Sequence, residues 1–254
     1  MSIQDWARPY YRPGGVDPFL FYVVYGAVDL AAELAAEVYR SQGIPDGIDV
    51  MHYTSKDSPG VIQGFREGYV WNCLRQDLPE FAAQIAAASE CVILKGHPAD
   101  GRDLNYFRDV VGLLTHFLDH GGICVYDPQM FKWWQPQEWH HRIFEPAAPV
   151  PRHHVVILTS DGETAGETWF HSRGMRKFGR PDLSLHHVRR SNHPAVIDLF
   201  ERFIEHQALG GVIAEGQPIR MASLPPGMTC LHGGDLDDPD FNNVHVEIRW
   251  PAGP

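Results

Sequence analysis

Imidazole titrates near neutrality and binds transition metals, and this chain carries 15 histidines in 254 residues. The most suggestive spacing is His116 with His120, at i and i+4, which sets two imidazoles on one helix face as metal chemistry requires. Asp109 falls in the same sector, so Asp109, His116 and His120 form a candidate set for a divalent metal. Against it, Phe117 stands where a His-Glu-x-x-His motif has Glu. His120 also sits in the last turn, where the helix dipole favours a cation on its own account.

The doublets His140-His141, His153-His154 and His186-His187 send neighbours to opposite sides wherever they lie on strands, so at most one of each pair can face a given pocket. From His232 to Asp240, four carboxylates gather beside Gly233 and Gly234. Hard cations take oxygen ligands of this kind, yet the run lacks the central Gly and terminal Glu of an EF-hand, and a solvated acidic turn is the plainer reading. The run Thr159 to Gly166 is expected to follow a strand and precede a helix, where backbone amides hold anions. It has no Lys, carries the acids Asp161 and Glu163, and matches neither a P-loop nor a dinucleotide fingerprint, so no nucleotide cofactor is expected. No Gly-x-Ser-x-Gly elbow or Ser-x-x-Lys pair gives sequence support to nucleophilic catalysis.

One local charge reversal stands out in an acidic chain. Arg173, Arg176, Lys177, Arg180, Arg189 and Arg190 fall within 18 residues that hold a single acid, Asp182. Such a patch suits a phosphate, a carboxylate or an acidic partner surface, with Arg173, Arg176, Arg180, Arg189 and Arg190 as the binding residues. The plainer alternative is a solvated helix and strand edge paired with acids elsewhere in the fold.

The elements that must position these groups follow from length, charge and periodicity. A net charge of −11 argues against nucleic acid as partner, since that affinity comes from Lys and Arg neutralising phosphates. No stretch approaches the roughly 18 apolar residues of a membrane-spanning helix, and Met1 to Trp6 lack the pattern of a leader, so a cytoplasmic protein with no membrane partner is expected. Cys73, Cys91, Cys124 and Cys230 form no Cys-x-x-Cys pair and lie in or beside apolar segments, the context of buried free thiols.

Phe19 to Tyr25 reads as a buried strand, Asp29 to Arg40 as a helix and Ile48 to Tyr53 as a strand. A helix over Leu78 to Ala88 and a strand at Cys91 to Leu94 follow. The clearest helix runs from Leu104 to Leu118, where Leu104, Phe107, Val111, Leu114 and Leu118 make an apolar stripe that puts Asp109, His116 and His120 on the opposite side. Ile123 to Tyr126 is the next strand. Residues 127 to 152 hold five prolines among Phe131, Trp133, Trp134 and Trp139, and read as a crossover between lobes whose rings cover an apolar face. The second half alternates again: a strand at His154 to Thr159, a helix within Glu167 to Phe178, a strand at Leu183 to Val188 and a helix from Pro194 to Leu209. Strands at Val212-Ile213, Ile219 to Ala222 and Val244 to Trp250 finish it. The expected fold is α/β (α+β): two packed lobes, 1–150 including the crossover 127–152 and then 151–254, each a mixed sheet with helices on one face and split βαβ-like connections.

The run Ser172-Arg173-Gly174-Met175-Arg176-Lys177-Phe178-Gly179-Arg180-Pro181-Asp182-Leu183, with Ile219-Arg220-Met221 and Phe241-Asn242-Asn243-Val244, resembles the C-terminal part of an uncharacterised bacterial family, a domain of unknown function. The segment Asp103 to Trp139 is loosely similar to what precedes that domain. The resemblance covers about half the chain, implies a bacterial cytoplasmic protein and carries over no catalytic residue. Gly174, Gly179 and Pro181 also have local reasons, a close backbone approach and a helix stop, so the signature reads as one of fold. The acidic balance and the many aromatics outside clear elements favour a non-enzymatic protein-interaction molecule, immunity- or adaptor-like, with a protein partner and no cofactor. The alternative is a histidine- and carboxylate-dependent hydrolase or transferase assisted by a divalent metal. A sensor of small anions, built on the basic run, is a third reading.

Overall fold

In the computed structural model, which describes residues 3–162 and 164–251, the chain divides into two compact units. The first comprises the residues up to Trp6, Phe19–Ala99 and Asp103–Pro149; the second comprises Ala7–Pro18, Asp100–Arg102 and the residues from Val150 onward. The excursions at Ala7–Pro18 and Asp100–Arg102 belong to the second unit, an arrangement that a division at residue 150 does not contain.

The first unit is built on strands β1 (Leu20–Gly26), β2 (Ile48–Thr54), β3 (Glu90–Gly96), β4 (Gly122–Asp127) and β5 (Lys132–Trp134), in the order β2-β3-β1-β4-β5. Every neighbouring pair is antiparallel, so this sheet is not mixed. Because β3 and β4 both run against β1, they point the same way with β1 between them. Its helices are α1 (Ala36–Tyr39), α2 (Pro59–Gly64), α3 (Gly68–Asp77), α4 (Pro79–Ala87), α5 (Asn105–Asp119) and α6 (Pro136–Trp139). The link from β3 to β4 is α5, which makes a split βαβ unit.

Helices cover both faces of this sheet rather than one. Ile62 of α2, Trp71 and Leu74 of α3, and Ala82 and Ile85 of α4 pack with Val23, Tyr25, Ile93 and Trp133. On the other face Trp139 of α6 meets Tyr22 at 6.2 Å and Trp134 at 6.1 Å, edge to face, and donates its indole N–H to Thr115 Oγ1 of α5 at 2.9 Å. The cause is legible in β1, Leu-Phe-Tyr-Val-Val-Tyr-Gly: a strand apolar at consecutive positions needs cover on both sides. The proline- and tryptophan-rich segment supplies part of that cover as β5 and α6, inside the first unit.

The expected helix over 29–40 shrinks to the single turn of α1. Asp29 Oδ1 accepts the Ala31 N–H at 3.0 Å, and the Asp29 N–H donates to the His120 carbonyl at 2.8 Å. These bonds hold the backbone in a turn where helix propensity alone favoured a helix.

The second unit contains β6 (Val156–Asp161), β7 (Glu167–Arg173), β8 (Asp182–Arg189), β9 (Thr229–Gly233) and β10 (His245–Arg249), in the order β6-β7-β8-β10-β9. Only the pairing of β8 with β10 is parallel, and α7 (His193–Ala208) lies on the chain between them. Phe170, Leu183, Leu185, Val246 and Ile248 are buried with Val196, Leu199, Phe200 and Ile204 of α7, and Phe170 meets Phe200 edge to face.

Residues 167–173 form a strand instead of the expected helix. Thr168, Trp169 and Phe170 favour extended backbone, and β7 pairs on both sides, with β6 and β8. Only Met175–Phe178 turns, as one 3₁₀ turn bounded by the left-handed Gly174 and Gly179. Of the three late strands expected, only the one at β10 forms, while β9 and the helices α2, α3 and α6 carried too little periodicity to be read. Among the described residues no helix is long and apolar enough to cross a membrane.

Candidate functional site

The metal candidates on α5 are not gathered for a metal. Asp109 is buried and its Oδ1 is held by the Arg108 guanidinium, at 3.2 Å from Nε and 2.9 Å from Nη2, and by the Gln42 N–H at 3.1 Å. His116, also buried, lies 4.2 Å ring to ring from His120 and edge-on to Tyr39 at 4.9 Å. Burial, followed by the neighbouring His120, pushes the His116 imidazole toward its neutral form. This side of α5 is covered by the chain around Tyr39 and Ser41; Ser41 Oγ donates to the Asp109 carbonyl at 2.9 Å. Among the described residues, no three His, Cys, Asp or Glu side chains are placed to hold a metal. Several other histidines pair singly with carboxylates at half-exposed or exposed positions: His140 with Asp119, His187 with Glu167, both at 2.8 Å, and His52 with Glu90 at 2.9 Å.

The basic run is not one surface patch. Arg180 is fully buried and its guanidinium donates to the carbonyls of Gly179, Arg12, Gly210 and Gly211 and to Asp100 Oδ2 at 3.1 Å. Asp100 also receives the buried Arg8 guanidinium on its other oxygen. Lys177, equally buried, donates to the His154 carbonyl at 2.7 Å, and beside that ammonium burial holds the His154 imidazole neutral. Arg173 donates to the Asp240 carbonyl at 2.7 Å and half-buried Arg176 to the Asn242 carbonyl at 2.8 Å. Arg189 and Arg190 alone of the named arginines are exposed. The cations of residues 173–180 therefore tie loops of the second unit together, and they form neither an open anion cradle nor the solvated edge paired with acids that the sequence suggested.

Strand alternation puts Trp169, His171 and Arg173 of β7, Asp182, Ser184 and His186 of β8, and His245 of β10 on the sheet face turned away from α7. Trp169 is stacked between His171 at 4.1 Å and His186 at 4.9 Å, and Phe241 stacks on His245 at 4.4 Å. The doublet at 186–187 lies where β8 bulges, so regular alternation does not divide it: His186 joins this stack, while His187, at φ 57, reaches Glu167. Burial, reinforced by Arg173, pushes His171 down to about 4, and its Nδ1 has no hydrogen-bond partner. Burial also lowers His245, with Asp238 pulling the other way.

Next to this stack opens a pocket of about 290 Å³ in the second unit. Gly14, Gly15, Gly179, Gly233 and Gly234 line it, Val16, Pro181, Val212, Ile213 and Val244 make it apolar, His232 and His245 bring imidazoles, and the buried Arg180 completes the wall. The acidic run follows directly from Gly234. Asp235 and Asp238 fold it by accepting the N–H groups of Asp237 and Asp240, both at 2.9 Å, and Leu236 stands exposed among the carboxylates. Sequence reading singled out the acidic turn and His232 but not the pocket, whose walls come from five separate stretches of chain. Comparison with protein-family models, with curated proteins and with solved structures returned no match for this chain. The run from Thr159 to Gly166 joins β6 to β7 and precedes no helix; Glu163 lies outside the described residues.

Proposed function

We propose that this chain is a protein-interaction molecule, immunity- or adaptor-like, that works in the bacterial cytoplasm and binds a polypeptide rather than nucleic acid. One observation carries the reading: an apolar pocket opens beside an exposed acidic loop that also presents Leu236, while the cations of residues 173–180 point inward to carbonyls and to Asp100. An apolar recess edged by charge is the anatomy of a binding hot spot. The four cysteines are all free, three of them buried, which suits a reducing compartment. The likeness of the 172–183 run to an uncharacterised bacterial family belongs to the same proposal, and the internal bonding of that run supports reading it as a mark of fold.

Affinity isolation of the full chain from its native cells, followed by native mass spectrometry, tests the reading. A stoichiometric polypeptide partner is expected. Recovery of the chain alone, together with turnover of a small substrate by the isolated protein, would favour the histidine- and carboxylate-dependent enzyme and remove the proposal.

A further inference from the structure

We infer that the second unit's pocket receives one large apolar side chain from a partner segment whose neighbouring residues are Lys or Arg. This rests on the protein-interaction reading above and names the chemistry of the partner.

The size argues for a side chain. A pocket of about 290 Å³ lies at the small end of the range in which compact ligands are enclosed, roughly 300 to 1,000 Å³. Val16, Val212, Ile213 and Val244 offer no charge to an occupant, and the guanidinium of Arg180, which also lines the pocket, is bonded to carbonyls and to Asp100, so an aliphatic or aromatic anchor gains by leaving water there.

Charge complementarity argues for the flanks. Gly233 and Gly234 form one wall, and the chain runs from them straight into exposed Asp235 and Asp237. Asp238 stays close to the wall: its Oδ2 lies 3.0 Å from where a Cβ on Gly234 would stand. At this same end of β9, Glu215 accepts the N–H of the pocket residue His232 at 2.6 Å. Arg173 and Arg176 bond to the carbonyls of Asp240 and Asn242 and offset part of the loop's charge, Arg173 that of Asp238 and Asp240 and Arg176 that of Asp237; the side chains of Asp235 and Asp237 are exposed, and the loop's four carboxylates outnumber these two cations. Lys and Arg beside the anchor would raise the association rate and fix its register.

The test uses the intact protein and dye-labelled, blocked peptides Gly-Lys-Lys-X-Lys-Lys-Gly with X as Leu, Trp or Ser, read by fluorescence anisotropy at low salt. The Leu and Trp peptides should bind at least about tenfold more tightly than the Ser peptide. Val212→Trp, which fills the pocket, should remove that preference. The exposed double change Asp235→Asn with Asp237→Asn, which removes both charges and keeps the Asp235 side-chain oxygen that folds the loop, should weaken all three peptides by about tenfold, and added salt should do the same. Equal binding of the Leu and Ser peptides, no binding of any peptide below about 1 mM, or indifference to both variants would overturn the inference. A cellular partner whose binding ignores Val212→Trp would remove this inference and leave the interaction reading standing. Recovery of the chain alone would remove the reading itself.

Discussion

Asn243 and Asp182 join the last strand of the second unit to its centre: the Asn243 amide donates to Asp182 Oδ2 at 2.8 Å and to the Arg180 carbonyl at 2.9 Å. The other Asp182 oxygen accepts the Ser172 hydroxyl at 2.8 Å and the Met175 N–H at 3.3 Å. Strands β7 and β8 and the approach to β10 thus meet on one buried carboxyl. The segments Phe241 to Val244 and Ser172 to Leu183 are halves of a single hydrogen-bonded network.

That carboxyl makes stability depend on pH. Burial pushes Asp182 up to about 6 from 3.8, although its bonds from Asn243, Ser172 and Met175 pull the other way. The folded chain therefore holds a proton between pH 4 and 6 that the unfolded chain has released, and this group's contribution falls as pH rises through that window, by about 2 to 3 kcal/mol in all. Asp182→Asn keeps the shape, and the Asn243 Oδ1, buried without a partner, can turn to accept from the new amide. Urea midpoints of the variant should lack the fall seen in the parent from pH 4 to 6; an unchanged difference between the two across that range would refute the assignment.

His171 works in the opposite sense. Its folded value of about 4 lies below the ordinary 6.5, so the unfolded chain takes up the proton first and stability is lost as pH falls from 6.5 toward 4. His171→Phe keeps a ring against Trp169 and removes the proton site. In acid denaturation followed by tryptophan fluorescence, this variant should hold out to lower pH than the parent, whereas Asp182→Asn, which mimics the carboxyl already protonated in acid, should leave the acid midpoint near the parent's. An unmoved midpoint for His171→Phe would refute the role given to His171.

Gly15 is required by Arg180. A Cβ on Gly15 would stand 1.8 Å from Arg180 Nη1 and 2.5 Å from the Gly179 carbonyl oxygen. The guanidinium cannot retreat without leaving a buried charge short of its acceptors, so Gly15→Ala should cost more than about 3 kcal/mol. Gly60→Ala, in α2 with nothing within 4 Å of the new methyl, should be neutral or slightly stabilising. Chemical denaturation measures both, and equal midpoints for the two variants would contradict the contact.

Periodicity made part of the fold legible. The strand Phe19 to Tyr25, the helix Leu104 to Leu118 and the helix Pro194 to Leu209 were readable because their residues carry unbroken apolar patterns of strand or helix period, and each formed to within a residue or two. Where local preference and tertiary pairing conflict, pairing won: Asp29 holds a turn, and residues 167–173 join a sheet on both sides. The site was less legible. Arg173, Lys177 and Arg180 are the same cations whether they face solvent or carbonyls, and a run of letters does not say which.

The sequence by itself determined the two-sheet α+β class, the free thiols and the acidic turn from Asp235 to Asp240, because these follow from composition and local period. The tertiary structure alone decided that Arg180 would meet Asp100 and that Gly14, Val212 and Val244 would share one pocket. Those contacts join residues far apart in the chain, and only long-range closure of the backbone brings them within the few ångströms over which hydrogen bonds and packing act.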